Sequence, residues 1–327
     1  MNAVAWLAVV APAIVAAGVI AALRRSRIAG LLVDRPNERS LHATPTPRLG
    51  GIGVAAGIAS VAPLFWAWPL NIVFGLAAML FAVSLADDVR SLPMQARLAA
   101  HFAAAGVLAA LLVSNTSDEP IVRAAVVGLT VLAVAWMTNL FNFMDGADGL
   151  AGGMAVIGFG ALAVAAHATG ATVVALAAAA IASANIGFLA HNFPPARVFL
   201  GDAGSIPLGF LAAALGVHGV AAGLWPVWFP VLVFSPFIVD ATATLVARAL
   251  GGKKFWRAHR EHSYQRLALA GWPRRRLLFA TYALMAAAAT TALIGLASGD
   301  EVQLGILLGW AAVYPALLFA IARRSVG

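Results

Sequence analysis

Residues 121–150, IVRAAVVGLTVLAVAWMTNLFNFMDGADGL, decide the fold class of this chain. The part from 121 to 138 is almost wholly apolar, and a helix needs about 20 mainly apolar residues to cross a bilayer. Directly after it the sequence becomes rich in asparagine, aspartate and glycine. The stretch therefore predicts a membrane-spanning helix that ends in a polar cluster.

The rest of the chain is also strongly apolar. Of its 327 residues, 62% are hydrophobic and 10% are charged, whereas a soluble domain is about 45–50% apolar. We therefore predict an all-α integral membrane protein, with one domain over residues 1–327 and about eleven spanning helices. The predicted spans are residues 3–23, 50–66, 70–86, 98–114, 121–138, 151–168, 172–190, 205–222, 224–245, 277–297 and 302–321.

The basic residues predict the orientation. If the N-terminus lies outside, all of the 21 lysines and arginines except Arg123 fall on the inner side, as the positive-inside rule requires. This predicts a periplasmic N-terminus and a cytoplasmic C-terminus, and it explains the net charge of +8 without a nucleic-acid partner. Because the basic residues follow the first apolar run, we expect that run to remain as a helix and not to be a cleaved signal peptide. The absence of cysteine excludes disulfides and thiolate chemistry.

Polar side chains are concentrated in the predicted inner connections. Asp87 and Asp88 end the third predicted helix, and adjacent carboxylates at a membrane boundary repel each other unless they share a cation or a proton. The alternative is a solvated turn. After the fifth predicted helix, four residues at a spacing of three can bind a base, a sugar or a metal, or form only a capping turn. They are Asn139, Asn142, Asp145 and Asp148.

Two glycine-rich segments precede predicted helices. Asp202 lies in the segment GDAGS, residues 201–205, where an aspartate favours a cation and a helix N-terminus favours an anion. The alternative is a simple turn with Ser205 as the helix N-cap. Gly50 and Gly51 close the first inner loop and would let the backbone approach a phosphate, although that loop can also be read as a basic juxtamembrane segment.

The last large inner loop contains a pair of histidines, His259 and His262. If this part is helical, both rings lie on one face and can bind a phosphate or a sugar together with Arg260 or Arg266. Zinc is a poorer interpretation without a third ligand, and an amphipathic interfacial helix is the structural alternative. Within the ninth predicted helix, Asp240 needs a partner in lipid, and Arg248, two turns on, is the candidate.

Taken together, five segments resemble, in order and spacing, the polyprenyl-phosphate N-acetylhexosamine-1-phosphate transferases of glycosyltransferase family 4. This superfamily includes the phospho-N-acetylmuramoyl-pentapeptide transferases. The last segment has fewer histidines than theirs and looks closest to the branch that starts O-antigen chains with a 6-deoxy-N-acetylhexosamine. The segments are DRPNERSLHATPTPRLGG (34–51), LADDVRSL (85–92), NLFNFMDGADGLAGG (139–153), FLGDAGS (199–205) and HREHSYQRL (259–267).

The resemblance implies a reaction and its participants. A polyprenyl phosphate, undecaprenyl phosphate in bacteria, would attack the β-phosphate of a UDP-N-acetylhexosamine and release UMP. The expected cofactor is Mg²⁺, with Mn²⁺ as a substitute, and the expected place is the cytoplasmic face of the bacterial inner membrane. The product would start O-antigen or another cell-envelope polysaccharide. Whether the chain forms a homodimer is left open.

The same resemblance implies roles for single residues. Asp87, Asp88 and Asp202 would be catalytic, with Asp202 and Asp88 as metal ligands. Nucleotide and sugar would be bound by Asn139, Asn142, Asp145, Asp148, His259, Arg260 and His262, and the lipid phosphate or diphosphate would be contacted by His42, Arg48 and Arg97.

Two rival classes share parts of this pattern. Secondary transporters also carry polar groups in membrane helices, but they place them near the bilayer midplane, whereas here they lie at one predicted face. Other membrane transferases of the prenyl or CDP-alcohol type also use aspartate-rich motifs, but they lack the paired GDAGS and HREHSYQ segments.

Overall fold

A computed structural model describes residues 3–36, 44–115, 117–254 and 259–324. His42, predicted to contact phosphate, lies outside these residues. Within them the chain forms thirteen α-helices, and its strand content is one antiparallel pair, β1 (Val33–Asp34) with β2 (Thr46–Pro47). The helices are α1 Ala3–Arg24, α2 Gly50–Ala59, α3 Leu70–Arg90, α4 Met94–Val113, α5 Pro120–Phe143, α6 Leu150–Ala168, α7 Thr172–Asn192, α8 Asp202–Ala221, α9 Trp228–Val233, α10 Ser235–Leu250, α11 Ser263–Leu269, α12 Arg274–Leu296 and α13 Asp300–Arg324.

In the described part of the chain, nine helices are long and apolar enough to cross a membrane: α1, α3 to α8, α12 and α13. The predicted class, an all-α integral membrane protein, is confirmed. Two predicted spans differ from the structure. The span 50–66 is the ten-residue helix α2 followed by a short 3₁₀ turn at Ala62–Leu64, and the span 224–245 is broken between α9 and α10 at Phe234.

Proline accounts for the break between α9 and α10. Pro236 lies in the first turn of α10, where a proline is tolerated because that N–H has no partner within the helix. One continuous helix would instead place Pro236 in its interior, where the missing N–H and the ring clash cost about 3 kcal/mol or more. The chain therefore ends one helix and begins another.

The centre of the bundle is α8. Of the apolar stretch of α8, 72% is buried inside the protein, against 6% for α13. α8 packs against α2, α3, α5 and α6. Small residues permit this packing, as is usual between helices in lipid. A Cβ added at Gly209 would lie 2.6 Å from the Met137 carbonyl oxygen of α5. The position of α8 is therefore set on several sides at once, and α8 begins with Asp202.

Backbone hydrogen bonds join the first inner loop to the segment before α8. The Phe199 N–H donates to the Pro47 oxygen over 2.8 Å, while the N–H groups of Gly50 and Gly51 donate to Phe199 and Leu200 over 2.9 and 2.8 Å. The hypothesis that Gly50 and Gly51 let the backbone approach a phosphate is therefore wrong. Their N–H groups are engaged, and the two glycines instead allow α2 to pack against its neighbours.

Gly51→Ala should destabilise the protein. The added Cβ would lie 2.4 Å from the Gly204 nitrogen and 2.6 Å from the Ala203 carbonyl carbon, both backbone atoms at the start of α8, and such overpacking costs about 1–3 kcal/mol. We expect a lower melting temperature in detergent. Gly75→Ala in α3 is the matched control, since nothing lies within 4 Å of its added Cβ. Equal melting temperatures for the two variants would contradict the close approach of α2 and α8.

Candidate active site

Three carboxylates from two helices meet at one end of the bundle. Asp87 and Asp88 lie in the last turn of α3, and Asp202 is the first residue of α8. The side chain of Asp88 is 1% exposed and that of Asp87 is 9% exposed, whereas that of Asp202 is 28% exposed. Asp202 is therefore the carboxylate of the three most accessible to a ligand.

Asp88 caps the N-terminus of α8. Its carboxylate accepts the N–H of Ala203 over 3.0 Å and the N–H of Asp202 over 3.4 Å, which stabilises both the helix end and the buried charge. The preceding Gly201 has φ +74°, and a Cβ there would lie 2.9 Å from Asp88 Oδ2, so the position requires glycine. The alternative of Ser205 as N-cap is wrong, because α8 begins three residues earlier.

Two arginines partly neutralise the carboxylates. Arg97, in the first turn of α4, places Nη1 2.7 Å from Asp87 Oδ2 and 3.6 Å from Asp202 Oδ2. Arg48 pairs with Asp34 and places Nη1 3.3 Å from Asp88 Oδ1. Burial alone would lower the pKa of Arg48, but Asp34, Asp88 and Asp202 raise it above its usual value. Arg48 therefore stays charged, and two guanidinium groups face four carboxylates.

The α5–α6 connection adds an amide and a further carboxylate. Asn142 Nδ2 donates to Asp202 Oδ1 and to Ser205 Oγ, each over 2.8 Å. Burial, together with the negative charges of Asp202 and Asp88, raises the pKa of Asp145 well above its usual value. Asn142 and Asp145 therefore belong to the same electrostatic centre as Asp202.

Two other members of the predicted set point to different partners. Asn139 Nδ2 donates to the Ala135 carbonyl of its own helix over 2.7 Å. Asp148 Oδ2 accepts the Ala196 N–H over 3.1 Å and lies 3.3 Å from Arg274 Nη1. Asp148 thus ties the α5–α6 connection to the α7–α8 connection and to the start of α12. Its predicted role in nucleotide binding remains a prediction.

The histidine pair is close, but it is not helical. His262 is the N-cap of α11 and has extended backbone angles. The prediction that both rings lie on one face of a helix is therefore wrong. The two rings nevertheless approach to 4.9 Å between centroids. Burial is the main cause that lowers the pKa of His259, to about 4, and the neighbouring His262 is the second cause. His259 is therefore neutral at pH 7 and can offer a hydrogen bond but no positive charge.

Contacts on either side of His262 anchor the histidine segment, residues 259–265. Asp240 Oδ1 accepts the Ser263 N–H over 2.8 Å and the Thr244 hydroxyl over 3.2 Å. The predicted pairing of Asp240 with Arg248 is therefore wrong, because Arg248 pairs with Glu261. Among the described residues, no hydrogen bond or ion pair joins His259 or His262 to Asp87, Asp88 or Asp202.

The carboxylate oxygens of this centre suit a hard divalent cation that takes only some of its ligands from the protein. Within residues 3–36, 44–115, 117–254 and 259–324, no three histidine or acidic side chains form a ready-made metal cage. Mg²⁺, however, is often held by only one or two carboxylates, with water and substrate phosphates completing its coordination. Asp202 meets this requirement as the most exposed of the three carboxylates. Asn142 Nδ2 donates to its Oδ1 over 2.8 Å, and Arg97 Nη1 lies 3.6 Å from its Oδ2. The oxygens of Asp88 are already engaged by two N–H groups and Arg48.

The described residues thus form a helical bundle with nine helices long and apolar enough to cross a membrane, and with a centre of carboxylates and arginines at its helix ends. A family model described as Glycosyl transferase family 4 matches residues 70–220, from the start of α3 to nearly the end of α8. The chain is similar to this family over these residues. The match includes Asp87, Asp88 and Asp202 but not the histidine segment.

Relatives of this chain carry related names. It is 27% identical over 263 residues to a probable undecaprenyl-phosphate N-acetylglucosaminyl 1-phosphate transferase of Bacillus subtilis, covering 76% of this chain and 73% of the relative. It is 28% identical over 293 residues to a decaprenyl-phosphate N-acetylglucosaminephosphotransferase of Mycobacterium tuberculosis, covering 76% and 72%. It is 27% identical over 319 residues to a phospho-N-acetylmuramoyl-pentapeptide-transferase of Picosynechococcus, covering 85% and 83%.

Asp145→Asn should stabilise the metal-free protein at pH 8. Because the pKa of Asp145 is raised in the folded state, the wild type loses stability as the pH rises from the unfolded value of 3.8 through the folded-state value. Asparagine carries no charge and avoids this loss. Melting curves in EDTA should show a higher melting temperature for the variant at pH 8, and no difference below pH 3.8.

The control for this measurement is Asp118→Asn, which removes an exposed carboxylate in the α4–α5 connection. Equal shifts in the two variants would mean that total charge, and not the surroundings of Asp145, sets the effect.

Proposed function

We propose that this protein transfers an N-acetylhexosamine 1-phosphate from a UDP-sugar to undecaprenyl phosphate or another polyprenyl phosphate. One observation carries the proposal: Asp87, Asp88 and Asp202 converge with Arg97 where α3 ends and α4 and α8 begin. That place lies at the ends of membrane-length helices, where a water-soluble nucleotide and a lipid-borne phosphate can meet. With the inner loops basic, the site faces the cytoplasm of a bacterial inner membrane.

In this reaction an oxygen of the lipid phosphate attacks the β-phosphorus of the UDP-sugar. The bond between the β-phosphorus and the bridging oxygen breaks, UMP leaves, and a polyprenyl-diphospho-sugar remains. A phosphate monoester has a second pKa near 6, so the nucleophile is already mostly ionised at neutral pH. Asp87 therefore contributes mainly by holding Arg97, over 2.7 Å, and less as a general base.

Charge compensation is the main demand of this chemistry, because two anions must meet. In this proposal Arg97 and Arg48 contact the lipid phosphate or the diphosphate. We assign Mg²⁺, replaceable by Mn²⁺, to Asp202, with Asp88 as a second ligand once its present contacts loosen. When bound, such an ion offsets the negative charge of the diphosphate and of the developing UMP.

Nucleotide and sugar would occupy the space beside this centre. Asn142 and Asp145 adjoin Asp202, and we assign the nucleotide to them together with Asn139 and Asp148. The histidine segment, with His259, Arg260 and His262, would contact the sugar and diphosphate. Since His259 is neutral at pH 7, its contribution is a hydrogen bond and not a charge.

The rival classes explain less. A secondary transporter places its site near the bilayer midplane, whereas Asp87, Asp88 and Asp202 lie at helix ends. A membrane transferase of the CDP-alcohol type would use similar aspartates, but the chain matches glycosyl transferase family 4. The proposed product starts O-antigen or another cell-envelope polysaccharide.

A donor panel tests the function. Purified protein with undecaprenyl phosphate and MgCl₂ is given radiolabelled UDP-GlcNAc, UDP-GalNAc and their 6-deoxy analogues in turn. We expect one donor to yield a labelled lipid and an equal amount of UMP. The motif resemblance favours a 6-deoxy sugar, while the names of two relatives contain N-acetylglucosamine. Uptake of a solute into liposomes, with no labelled lipid from any donor, would support a transporter instead.

Asp202→Ala should abolish Mg²⁺-dependent UMP release, because it removes the accessible carboxylate of the centre. A second readout does not need activity: MgCl₂ should raise the melting temperature of the wild type, since a ligand that binds only the folded state stabilises it, and should leave that of the variant unchanged. Glu119→Ala, in the outer connection before α5, is the matched control. Full activity of Asp202→Ala would show that the metal is held elsewhere.

A further inference from the structure

The histidine segment is fastened to α10 at two points. Glu261 pairs with Arg248, whose side chain is 8% exposed, and also with the exposed Lys253. Eight residues earlier on the same helix, Asp240 Oδ1 accepts the Ser263 N–H over 2.8 Å. The two attachments are roughly 12 Å apart along α10, so the segment between them is held along this helix.

The Asp240 attachment is buried. The Asp240 side chain is 11% exposed and that of His262 is 4% exposed, with Asp240 Oδ1 lying 3.8 Å from His262 Nδ1. A buried carboxylate is expensive unless it is hydrogen-bonded or paired. Here its hydrogen bonds are made with Thr244 on its own helix and with the backbone next to His262. The Asp240 oxygen therefore holds the histidine segment by a hydrogen bond, and it does not pair with an arginine.

A second contact continues from Ser263 towards the carboxylate centre. The next residue, Tyr264, donates its hydroxyl to the Phe143 carbonyl over 3.2 Å. That hydroxyl lies so close to Gly146 that a Cβ there would be 2.1 Å away. Phe143 and Gly146 lie on either side of Asp145 in the chain. A movement of residue 263 would therefore have two effects at once. It would shift His262, and it would loosen the contact between Tyr264 and the turn that carries Asp145.

We propose that Asp240 is a positioning residue for the sugar-phosphate transfer. Its carboxylate holds the Ser263 N–H and thereby sets the place of His259 and His262 relative to the turn that carries Asp145. Asp240 itself touches no substrate. This inference rests on the proposed function, in which the two histidines contact the sugar diphosphate.

Two variants remove the hydrogen bond from opposite sides. Asp240→Ala removes the acceptor, whereas Asp240→Asn keeps a carbonyl oxygen at the same place. Ser263→Pro removes the donor alone. Proline is tolerated at Ser263, the first residue of α11, and His262, with φ −63° and ψ 149°, has the extended conformation that precedes proline. Ser263→Ala keeps the N–H and is the matched control.

The kinetic constants of these variants distinguish a positioning role of Asp240 from other roles. Asp240→Ala and Ser263→Pro should each lower kcat/KM for the UDP-sugar by about 100-fold, the effect of displacing a binding group by about 1 Å. The KM for undecaprenyl phosphate should not change, and the double variant should be no worse than either single variant. Asp240→Asn and Ser263→Ala should retain most of the activity. Equal loss in Asp240→Asn and Asp240→Ala would overturn the proposal, since charge and not the hydrogen bond would then matter.

A spin label reports position without any substrate. The natural chain has no cysteine, so Leu269→Cys, at an exposed position ending α11, gives a single labelling site. Asp240→Ala and Ser263→Pro should increase the mobility of the label, whereas Asp240→Asn and Ser263→Ala should not. Unchanged mobility in all four variants would overturn the positioning role. If the wild type transfers no sugar from any donor, the proposed function fails, and the label still decides the role of Asp240.

Discussion

The carboxylate of Asp88 at the N-terminus of α8 is the interaction on which the site depends. It joins the end of α3 to the start of the most buried membrane helix, and through Arg48 it also joins the first inner loop. A buried charge is tolerated only when it is paired and hydrogen-bonded, and Asp88 receives two backbone N–H groups and a guanidinium. The same contacts place Asp202 at the edge of the bundle, where it remains partly exposed.

Around this interaction the site keeps an excess of negative charge. Arg48 and Arg97 face Asp34, Asp87, Asp88 and Asp202, and the raised pKa of Asp145 reflects its burial and the carboxylates around it. An excess of this kind repels a diphosphate unless a cation accompanies it. The proposed divalent ion would be that cation, and in the proposed reaction positioning and charge compensation would contribute more than proton transfer.

The periphery of the site is held by indirect contacts. Asp148 connects the turns before α6 and α8 to Arg274 on α12, and Asp240 connects α10 to the histidine segment. For Asp240, the sequence could not distinguish such an anchor from a substrate ligand, because a structural anchor and a binding group use the same residue types. The distinction lies in the partners of Asp240, which are the Ser263 N–H and the Thr244 hydroxyl.

Hydropathy alone determined the class of this protein, since the length of an apolar run is a local property of the chain. Local sequence also identified the polar motifs, because aspartates and histidines at membrane boundaries are rare unless they are needed. Tertiary structure decided how these groups are used. Pro236 split a predicted span, the turn before α11 brought two non-helical histidine rings together, and a backbone N–H instead of Arg248 became a partner of Asp240. Such pairings depend on how segments far apart in the sequence pack together. The spacing of residues within any one motif does not determine that packing.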